Sequence, residues 1–412
     1  MKFKLLIVAL FWFNQIFSQS ISIENIKKHI SVLSNDSLQG RGTGTIGEAK
    51  AANYISQEFK KIGLKPVGDD NSYLKSFQYK HSSNPHGASD KDTAVKILNS
   101  KNIIGFLDNG SPNTIIIGAH YDHLGFGDDQ NSLEANPKGK IHNGADDNAS
   151  GVAGVIELAR YFSNSKSNSK SNYLFLCFSG EELGLIGSKK FVDNSEFEPG
   201  KINAMINMDM IGRLNDSTKK LMVYGVGTSP SFVTKVENSN TYFKLVLDSS
   251  GVGPSDHTSF YLKNIPVLHF FTGQHSDYHK PSDDLEKINF VGEQKVLEYI
   301  IDIVKKIDVE PKLEFKKTRD SNNDNAPKFK VTLGIMPDYS FEGKGVKVDG
   351  VSDNKPAFYA GVMKGDIIIK LGNLEVTDMR SYMQGLADSK KGETKELVVK
   401  RNGKDEILKV TF

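Results

Sequence analysis

The sequence predicts an α/β fold, a mostly parallel central sheet with helices on both faces, followed by a small β-rich domain. Apolar, strand-length runs alternate with amphipathic helical patterns, and several of the strands are apolar on both faces, as in a sheet covered on both sides. After a polar stretch near residues 316–325 the pattern restarts with shorter strands. At roughly 100–200 residues per domain, a chain of 412 residues has room for two or three cores.

Lys2 and Lys4, an apolar run from Leu5 to Phe17 and then Ser18-Gln19-Ser20 have the layout of a secretory signal peptide, so residues 1–18 are set apart from the fold. Helices are expected over 22–33 and 45–62; the second opens with Thr45 and Glu48 in capping-box spacing and stops at Gly63. Strands follow at 73–79, 102–107, 114–119, 173–178, 202–206, 221–224 and 266–270, with helical patterns at 151–162, 182–192, 229–237 and 290–307. The boundaries expected are a first domain over 19–308, a linker over 309–327 and a second domain over 328–412. Strands near 328–335, 345–351, 366–371 and 394–400 and a helix at 356–362 fill the second domain.

Composition narrows the function. With 52 Lys+Arg against 50 Asp+Glu the net charge is +2, too balanced to hold nucleic acid by its overall field. The first apolar run is short of the ~20 residues a membrane span needs, and no later segment approaches that length. A single cysteine, Cys177, excludes an intrachain disulfide and sits in an apolar strand, where a buried, inert thiol is expected. The run Gly42-Thr-Gly44-Thr-Ile-Gly47 matches a dinucleotide pattern, but polar turn formers precede it instead of a strand. Neither G-x-S-x-G nor H-E-x-x-H occurs, which removes two common hydrolase types.

The chemistry lies in His and carboxylate residues that end strands or open helices. His120 ends one strand, with Asp122 two residues on as an orienter of its imidazole. Asp146-Asp147 sits in a Gly-rich loop ahead of a helix, Glu181-Glu182 follows the strand containing Cys177, Asp209 follows another, and Asp277-Tyr278-His279 follows a third. Singly, each is a surface pair or a helix cap. Gathered at successive strand ends, they match a catalytic zinc pair: with three protein ligands per zinc and one shared carboxylate, five residues fill six slots. His120, Asp146, Glu182, Asp209 and His279 supply them, leaving Glu181 free to act as a base. Two Zn²⁺ against three carboxylates leave one positive charge, which a bridging hydroxide would neutralise.

The runs Gly118–Asp122, Gly144–Gly151, Gly180–Ser188, Asn207–Gly212 and Asp277–Asp283 resemble the two-zinc exopeptidases that include bacterial leucyl-type aminopeptidases, relatives of glutamate carboxypeptidase II and glutaminyl cyclase. The resemblance covers about residues 20–308. It implies that His120 and Asp209 hold one zinc, that Glu182 and His279 hold the other, and that Asp146 bridges. It further implies Glu181 as general base, Tyr278 as the donor to a developing oxyanion, and a cis peptide between Asp146 and Asp147. His123 and His142 match no ligand position, and His257, His269 and His275 are expected to pack or support. The pocket that selects the N-terminal residue is expected along loops such as 227–230 and 250–256. The C-terminal piece resembles a bacterial PDZ domain, with Leu333–Met336 as its carboxylate-binding loop. Together these imply an exported enzyme, periplasmic or secreted, that cleaves peptides with a free N-terminus and carries a docking domain for a peptide or protein C-terminus. A one-zinc cyclase and a non-catalytic peptide binder are the alternatives.

Overall fold

The computed structural model describes residues 20–81, 96–128, 131–165, 169–194, 196–318, 331–337, 341, 343–351 and 355–412. The expected signal peptide, residues 319–327 of the expected linker and residues 328–330 of the strand expected at 328–335 lie outside them. No helix among the described residues is long and apolar enough to cross a membrane.

In the first domain the strands are β1 (Lys65–Pro66), β2 (Leu74–His81), β3 (Lys96–Leu107), β4 (Thr114–His120), β5 (Asn172–Phe178), β6 (Ile202–Met208), β7 (Lys220–Tyr224), β8 (Lys244–Asp248) and β9 (Val267–Phe271). They form one sheet in the order β1-β3-β5-β4-β6-β9-β7-β8, with β2 paired to β3. The parallel expectation holds for its centre, β5-β4-β6-β9, whereas β3 and β7 run antiparallel to their neighbours β5 and β9. Strand β8, half-exposed at the edge, was not expected; it lacks the all-buried run that marks β4 and β6.

Helices α1 (Ile23–Leu33), α2 (Ile46–Ile62), α3 (Gly151–Asn164), α4 (Ile186–Val192), α5 (Phe232–Ser239), α6 (His257–Tyr261) and α7 (Phe290–Asp308) cover both faces. Alternation along β4 sends Ile115, Ile117 and Ala119 into a core shared with α1, α2, α3, α5 and α7, while Ile116 points into a second core with α4 and α6. Helix α2 starts as expected, since the Thr45 side chain accepts the Glu48 N–H. The Glu48 carboxylate turns inward instead of completing a capping box, accepting Gly44 N at 2.7 Å and the Ser100 hydroxyl at 2.5 Å. The helix expected over 182–192 begins only at Ile186, because Gly184 and Leu185 take left-handed backbone and hold the preceding glutamates in a turn.

Residues 311–318, within the expected linker, pack on the first domain. Leu313 is buried and donates its N–H to Asn203 Oδ1 at 2.6 Å, Lys316 N reaches the Thr228 carbonyl at 2.8 Å, and Thr318 N reaches the Tyr261 hydroxyl at 2.9 Å. The C-terminal domain has its own antiparallel sheet of β10 (Ile335–Pro337), β11 (Val346–Val351), β12 (Ile367–Leu371), β13 (Leu374–Glu375), β14 (Thr394–Arg401) and β15 (Lys404–Thr411). Leu333, Val348, Ile368 and Val399 are among the residues of a separate core.

Candidate metal centre

The four central parallel strands all end at one edge of the sheet, where ligands gather in folds of this kind. There β4 delivers His120, β5 leads into Glu181 and Glu182, Asp209 follows β6, and the loop after β9 brings in His279. His120 Nε2 lies 3.3 Å from Asp147 Oδ1 and 3.4 Å from Asp209 Oδ1. His279 Nε2 lies 3.3 Å from Asp147 Oδ2 and 3.2 Å from Glu182 Oε2. One carboxylate, that of Asp147, thus stands between two imidazoles with a second acid on either side.

The shared carboxylate belongs to Asp147 and not to Asp146, a correction to the sequence reading. Neighbouring side chains leave this loop in opposite directions. Asp146 is turned away, its Oδ1 accepting Gly212 N at 2.6 Å and the Ser150 hydroxyl at 3.0 Å, and its Oδ2 facing His275 Nε2 at 3.2 Å. Asp283 fixes this arrangement by accepting both the Asp146 and Asp147 N–H groups at 3.0 Å. Correspondingly, the cis peptide joins Asp147 to Asn148 and not Asp146 to Asp147.

Both imidazoles are held with one nitrogen turned to the site. His120 Nδ1 is 3.2 Å from the Asp122 carbonyl and His279 Nδ1 is 2.9 Å from the Asn131 carbonyl. A carbonyl only accepts, so Nδ1 carries the proton and the Nε2 lone pair is left for a cation. The Asp122 carboxylate, expected to orient His120, is farther off at 3.7 Å; it accepts Glu181 N at 3.1 Å and the Thr43 hydroxyl at 2.9 Å. His123, given no role by sequence, is drawn in: its Nδ1 is 2.8 Å from Glu182 Oε1 and 3.8 Å from Asp147 Oδ2. The only signal that could have flagged it is its nearness to His120 in sequence, since the strand pairing of β4 ends before it.

The donor set fits divalent metal. His120, Asp147 and Asp209 form one group whose ligand atoms lie within 4.8 Å of one another, and His123, Asp147 and Glu182 form another. Asp209 Oδ1 is buried with no hydrogen-bond partner. Burial opposes a charged imidazole, yet the fields of Asp209 and Glu181 at His120, and of Glu182 and Asp147 at His279, raise both well above the usual histidine range. The carboxylates gathered around the two imidazoles bring an excess of negative charge that a metal ion would satisfy. Burial, reinforced by Glu182, Asp209 and Asp256 against the opposing field of His120, raises the Glu181 carboxyl well above the usual range.

These groups open into a cleft at the end of the sheet. Met210, Tyr224, Phe271, Gln274 and Tyr278 line it, and the Tyr278 ring stacks on that of His279 at 3.9 Å. Of the loops expected to shape the pocket, 250–256 contributes Pro254 and 227–230 contributes nothing. Cys177 is buried away from the cleft, and burial pushes its thiol pKa far up, as expected of an inert core residue.

Residues 102–304 match peptidase family M28, and residues 313–412 match the PDZ domain. Aminopeptidase YwaD of Bacillus subtilis is 30% identical over 204 residues, 46% of this chain and 41% of that protein. Leupeptin-inactivating enzyme 1 of Streptomyces exfoliatus is 28% identical over 65% of this chain and 52% of its own length. The chain thus spans about half the length of the curated relatives it matches. Among solved structures, an aminopeptidase from Aneurinibacillus sp. strain AM-1 superposes with a TM-score of 0.55 at 21% identity, covering 74% of this chain and 97% of that one. Glutaminyl cyclase of Bacteroides thetaiotaomicron superposes at 0.54 with 17% identity, covering 71% and 99%. Both likenesses establish a shared fold. With that fold and the two matches in order along the sequence, this chain carries a peptidase family M28 domain followed by a PDZ domain.

Proposed function

We propose that this protein is an exported zinc aminopeptidase that removes N-terminal residues from peptides, and that its PDZ domain receives peptide or protein C-termini. The observation that carries the reading is the Asp147 carboxylate held between His120 and His279, with Asp209 and Glu182 beside it. His120, Asp147 and Asp209 would hold one zinc, and Asp147, Glu182 and His279 the other. When bound, such ions polarise a carbonyl and make water acidic enough to ionise near neutral pH.

The chain's own residues supply the rest. Glu181 projects into the cleft with its backbone N–H tied to Asp122, a position from which its carboxylate would take a proton from attacking water and return it to the leaving amine. Tyr278, stacked on His279, would direct its hydroxyl to the oxyanion. Met210, Tyr224 and Phe271 would receive an apolar N-terminal side chain.

The reading draws on aminopeptidases among both the sequence relatives and the structural neighbours. Because glutaminyl cyclases share the fold, the test must separate the two. Purified mature protein is expected to contain about two zinc ions per chain and to cleave aminoacyl substrates but not their N-acetylated forms. One zinc with cyclisation of N-terminal glutamine would favour the cyclase, and equal turnover of blocked and free peptides would exclude an aminopeptidase.

A further inference from the structure

The glycine-rich run after Gln39 takes no part in the chemistry above, yet it bonds to the segments that carry His120 and Asp147. Gln39, Gly40 and Arg41 all adopt left-handed backbone, with φ of 50°, 67° and 51°. A side chain at Gly40 would come within 2.5 Å of the His142 carbonyl and 2.6 Å of the Gly125 carbonyl, so this turn requires glycine. It leaves the Arg41 side chain in the interior, 1% exposed.

There the guanidinium donates to four backbone carbonyls from three separate segments. Nε reaches Tyr121 O at 2.8 Å, Nη1 reaches Leu33 O at 2.5 Å and Asn143 O at 2.7 Å, and Nη2 reaches Gly144 O at 3.0 Å. Tyr121 stands between His120 and Asp122, and Asn143-Gly144 leads into Asp147. The backbone adds to the grip: His123 N donates to Arg41 O at 3.2 Å, and Gly125 N donates to Gly40 O at 3.0 Å. Two residues on, the Thr43 hydroxyl donates to Asp122 Oδ2 at 2.9 Å.

We propose that Arg41 is a positioning residue for the metal centre, one side chain that pins the segment carrying His120 to the segment carrying Asp147 and so presets their separation before metal arrives. Resting on the two-metal reading, this assigns a role to the turn that precedes the Gly42–Gly47 run. The guanidinium fork suits it, because a planar group with five fixed donors can satisfy several carbonyls at once where an ammonium cannot. Burial lowers its pKa to about 10, countered by the fields of Asp147 and Asp122, so it remains a cation at neutral pH. Its charge therefore also eases the repulsion among carboxylates gathered without metal.

The test compares Arg41→Met, Arg41→Lys and wild type by zinc affinity in chelator competition, by the visible spectrum of the cobalt-substituted protein, and by thermal unfolding in EDTA. Glu157→Gln is the control, since buried Glu157 holds Ser22, Asn25 and Arg160 on α3 and touches neither ligand segment. Arg41→Met is expected to weaken zinc binding by roughly 10–100-fold, the usual effect of losing support behind a metal ligand, and to alter the cobalt spectrum. Arg41→Lys should recover part of that loss, and Glu157→Gln should lower the unfolding midpoint with affinity unchanged. Zinc affinity of Arg41→Met within twofold of wild type overturns the proposal, as does an equal loss of affinity in Glu157→Gln. If Arg41→Met does not fold, Arg41→Lys takes its place; several-fold weaker zinc binding supports the clamp, and unchanged binding overturns it. Wild-type protein that takes up no zinc would overturn the metal reading and the clamp with it, whereas normal wild-type uptake beside an unaffected variant overturns the clamp alone.

Discussion

At the scale of single residues, the adjacent aspartates give the sharpest test of the site. Asp147→Asn is expected to lose both metals, because its carboxylate faces both imidazoles, while Asp146→Asn should retain them, since an amide oxygen can still accept Gly212 N. Metal analysis of the two variants checks this, and the reverse result would restore Asp146 as the bridge. Glu181→Gln keeps the size of the side chain and removes the carboxylate proposed as the base, so kcat should fall by roughly 10²–10⁴ with zinc content intact. Loss of zinc there, but not in Glu182→Gln, would exchange the two roles. His120, Glu182, Asp209 and His279 were legible in the sequence because each follows a strand that the apolar pattern marks. Which of two neighbouring aspartates turns inward was not legible. That choice depends on Asp283, which is more than 130 residues away and grips both amides. Arg41 was hidden for a related reason, as its partners are backbone carbonyls and carry no residue signature.

At the scale of elements, pairing between strands was harder to read than the strands themselves. The buried runs of β4, β5 and β6 announce strands covered on both faces, but their flanks pair antiparallel, and nothing in an apolar run records the direction of its neighbour. The late start of α4 was likewise unreadable, because the apolar spacing from 182 onward continues through a turn. That turn is held closely from behind. A methyl group at Gly187 would lie 2.2 Å from the Ser179 carbonyl and 2.4 Å from Asn102 Oδ1, between β3 and the loop that carries Glu181 and Glu182. Gly187→Ala is therefore expected to destabilise the fold by about 1–3 kcal/mol, the range for overpacking, and to weaken zinc binding with it. Thermal unfolding and metal titration read the two effects, and a midpoint equal to wild type would show that the turn relaxes freely.

For the whole molecule, the useful boundary lies at the end of the docked segment 311–318. A protein ending at residue 318 keeps the contacts of Leu313, Lys316 and Thr318, whereas one ending at 310 exposes the surface that Leu313 and Phe315 cover. We expect the 318 truncation to turn over small aminoacyl substrates within roughly threefold of full length, under ~1 kcal/mol in barrier, and the 310 truncation to unfold at a lower temperature. Side-by-side melting curves and aminoacyl assays decide, and a 318 truncation that loses both stability and small-substrate turnover would mean that the PDZ domain braces the catalytic one. The docked segment also has a mechanical meaning. Thr318 bonds to Tyr261 and, through its hydroxyl, to the N–H of Gly251, three residues before the Pro254 that borders the cleft. A pull on the chain beyond residue 318 would therefore be borne first at this knot, a few residues from the rim of the cleft.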